Sequence, residues 1–373
     1  MPVKPVFEAV INHVSILDEH GNFDKELGEG LIPDQDVVEM YKHMLSCRHF
    51  DEIAFKLQRS GRMGTYPENR GQEAASLGAA YALKPNDWMV TCYRENAGLF
   101  WRGLPKEKIL LHWMGDERGN NLDGLRMTPL AIAIGSQMLH ATGLAWASKY
   151  KGEDSIACTF FGDGATSEGD FHEAANFAAS LSLPVVFVCQ NNGWAISTPS
   201  SVESAAPTFA QRGLAYGMEC VQVDGNDLFA MVKVTRDAAK RAREQQKPTF
   251  IEAVTYRLGD HTTADDARRY RDQEELDMWI KRDPVIRLRK WLESRDLWSE
   301  EQEAQSKVDA EKEIAMVVKN AEEIDAPAAS EFFDNMFVEL TPELMKQRQT
   351  MRTSSIGQNP SQVDVKQNEG AIK

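Results

Sequence analysis

The sequence lacks the features of several protein classes. Its five cysteines are odd in number and widely spaced, without a C-x-x-C pair, which argues against a disulfide framework and a zinc site. Basic residues are also scarce relative to acidic ones, 42 against 57, which gives a formal net charge of -15. Because nucleic-acid binding needs a basic face, no nucleic-acid partner is expected. A small anionic ligand is still compatible with this charge.

Long apolar runs and targeting signals are missing as well. The most apolar stretches are short and interrupted by polar residues, so none is expected to span a membrane. The amino-terminal stretch MPVKPVFEAVINHVSILDEHGNFD has neither a basic start with a continuous apolar core nor an arginine-rich, acid-poor composition. It does not resemble a signal or transit peptide, and we expect a cytoplasmic protein.

The order of apolar patterns predicts an α/β protein with a doubly wound, mostly parallel sheet and helices on both faces. Residues 1–33 are turn-rich and acidic and are expected to form an N-terminal arm. From residue 34, predicted helices and short apolar strands alternate as in βαβ units, including a helix of small residues over 129–150. Extra charged helices follow residue 270. We therefore predict one domain over 34–350 and a disordered tail at 351–373.

Polar residues follow two of the predicted strands. The stretch FGDGATSEGD begins where the apolar strand at 155–161 ends, and the pair NN follows the strand at 184–189. Asp163 and Asn192 then lie past the carboxyl ends of two strands of one βαβ unit, where open α/β sheets bind ligands. We expect the two side chains to converge on one ligand.

The residue types at these strand ends favour a magnesium-bound diphosphate. The oxygens of Asp163, Asn192 and a backbone carbonyl suit magnesium or calcium better than zinc, and they are too few for a calcium cage. Gly164, Ala165 and the start of the next helix offer N–H groups to a diphosphate. Gly162 and Gly164 are expected to allow close backbone approach and unusual dihedral angles. The alternative for a GDG stretch considered alone is a simple turn.

Taken together, GDG and the later NN resemble the fingerprint of thiamin-diphosphate enzymes, here GDGATSEGDFHEAANFAASLSLPVVFVCQNN. Four further segments are similar to the α subunit of the E1 component of 2-oxo acid dehydrogenase complexes, in the same order along the chain. They are GQEAAS, YRENAG, NNGWAISTP and TYRLGDHTTADDARRYR. The resemblance spans residues 61–271 and implies the thiamin-diphosphate-binding fold.

This resemblance implies thiamin diphosphate and Mg²⁺ as cofactors. Asp163 and Asn192 would bind Mg²⁺ through side-chain oxygens, and Trp194 would bind it through its backbone carbonyl. Tyr93 and Arg94 match the diphosphate contacts of the family.

Further residues match other parts of the family's site. His261 matches a loop histidine that reaches the diphosphate, and it is the candidate catalytic residue. The backbone near Thr128 and Leu130 matches the segment that holds the aminopyrimidine ring. The alternative for Arg94, considered without the family, is an ion pair with Glu95 at the strand end.

The reaction implied by the resemblance is oxidative decarboxylation of a 2-oxo acid, followed by reductive acylation of the lipoyl group of an E2 acyltransferase. The chain is too short to hold both cofactor-binding domains, so we expect an E1 β subunit to complete the site in an α2β2 heterotetramer. Two alternatives stay open. One is a nucleotide- or phosphate-handling magnesium enzyme that needs no partner, and the other is a non-catalytic interaction subunit.

The motifs divide between two substrate classes. SEGD and NNGWAISTP resemble branched-chain enzymes, whereas GRMGTYPENRGQEAAS and MGDERGN resemble bacterial pyruvate enzymes. Gln190 stands where some branched-chain relatives have an arginine, so one diphosphate contact is expected to be missing. We favour pyruvate as the substrate, with a branched-chain 2-oxo acid as the alternative.

Overall fold

A computed structural model describes residues 3–326, 331–334 and 336–353. Its strands are β1 (Asn12–Val14), β2 (Trp88–Val90), β3 (Ala157–Gly162), β4 (Val185–Asn191), β5 (Trp194–Ala195), β6 (Thr198–Pro199), β7 (Glu219–Asp224) and β8 (Thr249–Val254). Within these residues, six strands form one sheet in the order β1-β7-β8-β4-β3-β2, and every neighbouring pair is parallel. The short strands β5 and β6 form a separate antiparallel pair. The predicted parallel sheet is confirmed.

Helices separate most of the strands. Those of the main unit are α1 (Lys25–Gly28), α2 (Asp34–Arg59), α3 (Glu73–Ala82), α4 (Asn96–Trp101), α5 (Lys106–Met114), α6 (Ser136–Lys151), α7 (Gly169–Ser180), α8 (Ser200–Glu203), α9 (Gln211–Leu214), α10 (Leu228–Gln245), α11 (Gln273–Lys281), α12 (Pro284–Ser294) and α13 (Glu300–Glu322). A 3-10 helix, Asp163–Ser167, lies between β3 and α7. In the part of the chain that the structure describes, no helix is long and apolar enough to cross a membrane.

Both faces of the sheet are covered by apolar residues. In β3, Cys158 and Phe160 belong to one buried cluster, which includes residues of α2, α3, α10 and α12. Ala157 and Phe161 belong to a second cluster, which includes residues of α6 and α7. Because the central strands are buried on both sides, they have nearly continuous apolar sequences. The predicted helices on both faces are confirmed.

The first 33 residues contribute to the sheet. Strand β1 pairs with β7 at the sheet edge. The carboxylate of Asp227 accepts hydrogen bonds from the backbone N–H groups of Ile16 (2.5 Å) and Leu17 (2.7 Å). Both of these side chains are buried. With Ile32, which is also buried, the segment therefore contributes an edge strand and three core residues.

The segment before α6 differs from the prediction. A helix was expected over 129–150, but α6 begins only at Ser136. The preceding chain runs beside the end of β2, where Ala131 N–H donates to the Cys92 carbonyl across 3.0 Å. Gly135 then turns the chain into the helix with φ of 99°, a conformation that favours glycine. Apolar composition alone did not reveal this extended segment.

The chain divides into two compact units, Met1–Ala321 and Glu322–Lys373. The second unit contains α14 (Glu331–Asp334) and α15 (Pro342–Thr353). In it, the rings of Phe332 and Phe333 meet edge to face, with centroids 5.4 Å apart. From residue 354 on, the tail predicted at 351–373 lies outside the described residues.

Candidate functional site

A cavity of about 230 Å³ lies where β3 and β4 end. Its walls come from the residues after β2, the 3-10 helix after β3, the loop after β4 and the loop after β8. The predicted site residues that line it are Tyr93, Arg94, Asp163, Gly164, Ala165, Asn192, Trp194 and His261. The parallel sheet thus brings residues from four distant segments to one place.

In the described chain, Asp163 carries a buried carboxylate oxygen without a partner in this cavity. The residue is buried at the start of the 3-10 helix, and its Oδ2 has no hydrogen-bond partner among the described residues. Burial, together with the nearby carboxylate of Glu203, raises the pKa of Asp163 to about 7. A buried carboxylate oxygen without a partner is costly. A bound cation would supply the missing partner.

Asn192 lines the same cavity, and its side-chain amide is held in one orientation. Its Nδ2 donates to Gln72 Oε1 across 2.8 Å, while its Oδ1 accepts from the backbone N–H of Trp194 across 3.2 Å. An amide oxygen has two lone pairs, so Oδ1 can still bind a cation. No group of three or more His, Cys, Asp or Glu residues suited to a metal occurs in the described ranges. A metal here would therefore be bound by one carboxylate, one amide oxygen and backbone oxygen.

The opposite side of the cavity is strongly basic. Arg94 Nη2 lies 3.1 Å and Arg257 Nη1 lies 3.2 Å from Nδ1 of His261. Since guanidinium groups only donate, Nδ1 must be the acceptor. Burial and the two arginines lower the pKa of His261 to about 3. The imidazole is therefore neutral at physiological pH and carries its proton on Nε2.

Arg257 is a residue that the sequence analysis did not single out. Its side chain is fully buried, and its Nη2 donates to the Ile196 carbonyl and to the Tyr270 hydroxyl, both across 2.8 Å. Burial, with a contribution from Arg94, lowers the pKa of Arg257 to about 10, so it stays charged at neutral pH. Two converging guanidinium groups favour a ligand with more than one negative charge.

The alternative interpretation of Arg94 as the ion-pair partner of Glu95 is wrong. The guanidinium of Arg94 turns away, and its Nη1 donates to the Glu68 carbonyl across 2.6 Å. Glu95 is buried and accepts instead from the backbone N–H of Arg94 (3.1 Å) and from Gln190 Nε2 (2.5 Å). Burial raises the pKa of Glu95 to about 7. Gln190 is therefore the side-chain partner of Glu95. Separately, the ring of Tyr93 packs edge to face on His261, with the ring centroids 6.5 Å apart.

Thr128 and Leu130 are not brought to this cavity. They line a separate, much smaller cavity with residues of α4 and α5. The hydroxyl of Thr128 is buried without a hydrogen-bond partner within the described ranges, and its N–H donates to the Met89 carbonyl across 3.4 Å. Their assignment to the aminopyrimidine ring stays a prediction.

The glycines of GDG meet only part of the expectation. Gly162 has ordinary extended backbone, with φ of -81° and ψ of 170°, and Gly164 is not in the left-handed region. The expectation of unusual dihedral angles is therefore wrong. Close approach does occur at Gly164, where a Cβ atom would lie 2.8 Å from the Cβ of Ala195. That contact would force the 3-10 helix away from β5.

Known proteins resemble this chain over most of its length. A family model described as the dehydrogenase E1 component matches residues 41–330. The 3-methyl-2-oxobutanoate dehydrogenase subunit alpha of Mycobacterium tuberculosis (strain ATCC 25618 / H37Rv) is 44% identical over 328 residues, which cover 86% of this chain and 88% of the relative. The pyruvate dehydrogenase E1 component subunit alpha of Acholeplasma laidlawii is 42% identical over 333 residues, which cover 88% and 96%.

A third relative is the pyruvate dehydrogenase E1 component subunit alpha of Staphylococcus aureus (strain N315), which is 39% identical over 339 residues, covering 90% of this chain and 91% of the relative. Relatives with both substrate names therefore match at similar identity. The chain belongs to the dehydrogenase E1 component family and is an E1 α subunit of the 2-oxo acid dehydrogenase type.

Proposed function

We propose that this E1 α subunit binds thiamin diphosphate and Mg²⁺ in the cavity at the ends of β3 and β4. With an E1 β subunit it would catalyse oxidative decarboxylation of a 2-oxo acid and acylation of the lipoyl group of an E2 acyltransferase. One observation carries the proposal. The buried Oδ2 of Asp163, which lacks a partner in the described chain, shares a cavity with two guanidinium groups. A metal-bound diphosphate complements both features.

The metal would be held by hard oxygen ligands. Asp163 and Asn192 supply side-chain oxygens, and the backbone carbonyl of Trp194 is the proposed third ligand. This donor set suits Mg²⁺, which commonly keeps positions for phosphate oxygens and water. Because the pKa of Asp163 is raised to about 7 in the chain alone, Mg²⁺ binding near neutral pH would release a proton from part of the molecules.

The diphosphate would be held by the basic side of the cavity and by backbone N–H groups of the 3-10 helix. The residues proposed to contact it are Tyr93, Arg94, Gly164, Ala165, Arg257 and His261. Arg94 and Arg257 offset the negative charge, and the neutral His261 can donate from Nε2. Thiamin diphosphate, when bound, supplies the electron sink that decarboxylation of a 2-oxo acid requires. The protein supplies binding, orientation and electrostatics.

An exposed apolar face supports the proposed β subunit. On α6 and α7, Trp146 and Phe177 are each 50% exposed, and Tyr150 is 87% exposed. Gly143 lies on the same face of α6, and a Cβ atom there would meet nothing within 4 Å in this chain. An open glycine inside a helix costs about 1 kcal/mol relative to alanine. A partner that packs closely on α6 would account for both features, and we propose an α2β2 assembly.

Pyruvate is the proposed substrate, and a branched-chain 2-oxo acid is the alternative. The pyruvate proposal rests on GRMGTYPENRGQEAAS and MGDERGN. The relatives do not decide between the two substrates, because the chain is about equally identical to a relative named for each of them. Cys92 lines the cavity, and its small side chain does not decide between the two acids. A direct comparison of the two acids is therefore needed.

The test is turnover by the chain co-purified with its candidate β subunit. Thiamin diphosphate, Mg²⁺ and an artificial electron acceptor are supplied, with pyruvate and 3-methyl-2-oxobutanoate assayed in parallel. We expect decarboxylation that depends on both cofactors and is faster with pyruvate. Faster turnover of 3-methyl-2-oxobutanoate would establish the alternative. Absence of both turnover and cofactor binding would favour a non-catalytic subunit.

A further inference from the structure

Helix α9 carries a basic side chain that points toward the 3-10 helix of Asp163. The helix is fixed against the sheet at Gly213, where a Cβ atom would lie 2.6 Å from Cys220 Sγ and 2.8 Å from Phe250 Cβ. The guanidinium of the preceding residue, Arg212, lies 5.1 Å from the ring centroid of Phe209. Arg212 therefore extends from an anchored position.

The guanidinium of Arg212 contacts two hydroxyl groups of the 3-10 helix. Its Nη1 donates to Thr166 Oγ1 across 2.6 Å and to Ser167 Oγ across 3.2 Å. Thr166 Oγ1 in turn donates to the Asp163 carbonyl across 2.6 Å. A hydroxyl has one hydrogen, so Thr166 accepts from Arg212 and donates to Asp163. The result is a directed relay from Arg212 to the backbone of Asp163.

The same arginine also connects the 3-10 helix to α8. Its Nη2 lies 3.5 Å from the carbonyl oxygen of Glu203, and Ser167 Oγ donates to Glu203 Oε1 across 3.1 Å. A planar guanidinium can serve several acceptors at once, which a lysine ammonium does with less geometric definition. The 3-10 helix has no side-chain cap of its own. Because 3-10 helices have poor hydrogen-bond geometry, these contacts are its main side-chain restraint.

We propose that Arg212 is a positioning residue for metal binding: through the Thr166 hydroxyl it holds the turn that presents Asp163 to Mg²⁺. The inference rests on the proposed function, since it assumes that Asp163 binds the metal. Arg212 itself does not line the cavity. Its effect would therefore act through the geometry of Asp163.

The experiment measures binding of Mg²⁺ by the α2β2 complex in the presence of thiamin diphosphate and without substrate, by titration calorimetry. For Arg212→Met we expect the Mg²⁺ concentration at half-saturation to rise about 10-fold or more, as for other residues that orient metal ligands. Turnover should return to near the wild-type rate at saturating Mg²⁺. For Arg212→Lys, the Mg²⁺ concentration at half-saturation should lie between those of wild type and Arg212→Met. Arg241→Met is the matched control, because Arg241 pairs with Glu219 at 3.7 Å where β7 begins, at the opposite end of the sheet.

A second variant keeps the inference testable if Arg212→Met is unstable. Thr166→Val removes the hydroxyl that connects Arg212 to the Asp163 carbonyl while keeping Arg212. It should also weaken Mg²⁺ binding. Because Arg212 acts through Thr166, the double variant should lose much less than the product of the two single losses. Wild-type Mg²⁺ affinity in both single variants, or fully multiplicative losses, would overturn the inference. If the wild-type complex binds no Mg²⁺ with thiamin diphosphate, the proposed function falls and this inference falls with it.

Discussion

Arg257 and His261 are four residues apart in sequence, and the guanidinium of the first donates to Nδ1 of the second across 3.2 Å. This contact fixes the imidazole as a neutral ring with its remaining proton on Nε2. Because Arg94 donates to the same nitrogen, the histidine is held between two cations. Burial and electrostatic repulsion from these two arginines disfavour the protonated form of His261, which lowers its pKa to about 3.

This arrangement predicts a pH-dependent stability. The folded pKa of His261 lies below the ordinary value of 6.5, so the unfolded chain binds more protons between about pH 3 and pH 6.5. The contribution of His261 to stability is therefore present above pH 6.5 and declines as the pH falls. His261→Gln should lose less stability than wild type between pH 7.5 and 5.5, measured by urea unfolding. An equal loss in both proteins would contradict the assignment, and exposed His20→Gln is the control.

The buried carboxylate of Asp163 predicts the opposite slope in the metal-free protein. Its folded pKa of about 7 is raised above the ordinary value. The folded state then binds more protons than the unfolded state between about pH 4 and pH 7, so stability falls as the pH rises through this range. Asp163→Asn should therefore be at least as stable as wild type at pH 8 without metal, by thermal unfolding.

The same substitution tests the metal assignment. Asp163→Asn should abolish Mg²⁺-dependent binding of thiamin diphosphate, because it removes the carboxylate charge at the proposed metal ligand. Titration calorimetry of the α2β2 complex is the measurement. Asp237→Asn is the control, since Asp237 pairs with Lys233 on the exposed side of α10. Wild-type cofactor binding by Asp163→Asn would refute the assignment.

The two buried arginines should contribute to diphosphate binding. A charge-assisted hydrogen bond is worth about 1.5–3 kcal/mol. Arg257→Met should therefore weaken thiamin diphosphate binding by about 10- to 100-fold at saturating Mg²⁺. Arg94→Met should have an effect of similar size. The measurement is cofactor titration of the complex, and unchanged affinity in either variant would remove that arginine from the proposed site.

The exposed face of α6 and α7 should matter for assembly. Phe177→Glu and Trp146→Glu place a charge on the proposed β interface and should lower the yield of α2β2 complex in co-purification. The α subunit alone should keep its unfolding temperature, because both side chains are half-exposed. Met316→Glu is the control, since Met316 is a similarly exposed apolar residue on α13. Undiminished assembly of both interface variants would place the β subunit elsewhere.

The sequence predicted the part of the site that depends on strand ends. Apolar strands followed by polar residues placed Asp163 and Asn192 together, because parallel neighbours end at the same edge. Arg257 was missed for a physical reason. It follows β8, and the pairing of β8 with β4 across a long stretch of chain cannot be inferred from local patterns. Its burial depends on that pairing.

The start of α6 shows a second limit of local patterns. An apolar run with small residues suits a helix, but the chain before Ser136 is not helical, and residues 127–131 contact β2 and the residues after it instead. The same contact draws Thr128 toward the small cavity beside α4 and α5. Long-range packing determines both the start of α6 and the position of Thr128, and local patterns in a single sequence do not predict such packing.

The pairing of β1 with β7 has a consequence for how the chain acquires its structure during synthesis. His13 and Gln222 meet in this pair although 209 positions separate them. Strand β1 is synthesised well before β7 and must therefore wait until residues of β7 have been made before it can join the sheet. Until then β1 has no partner strand, and an unpaired strand edge can pair with other chains. In the folded protein β1 covers the edge of β7, and the strand left at that side of the sheet is only three residues long, as is common for edge strands that avoid pairing with other chains.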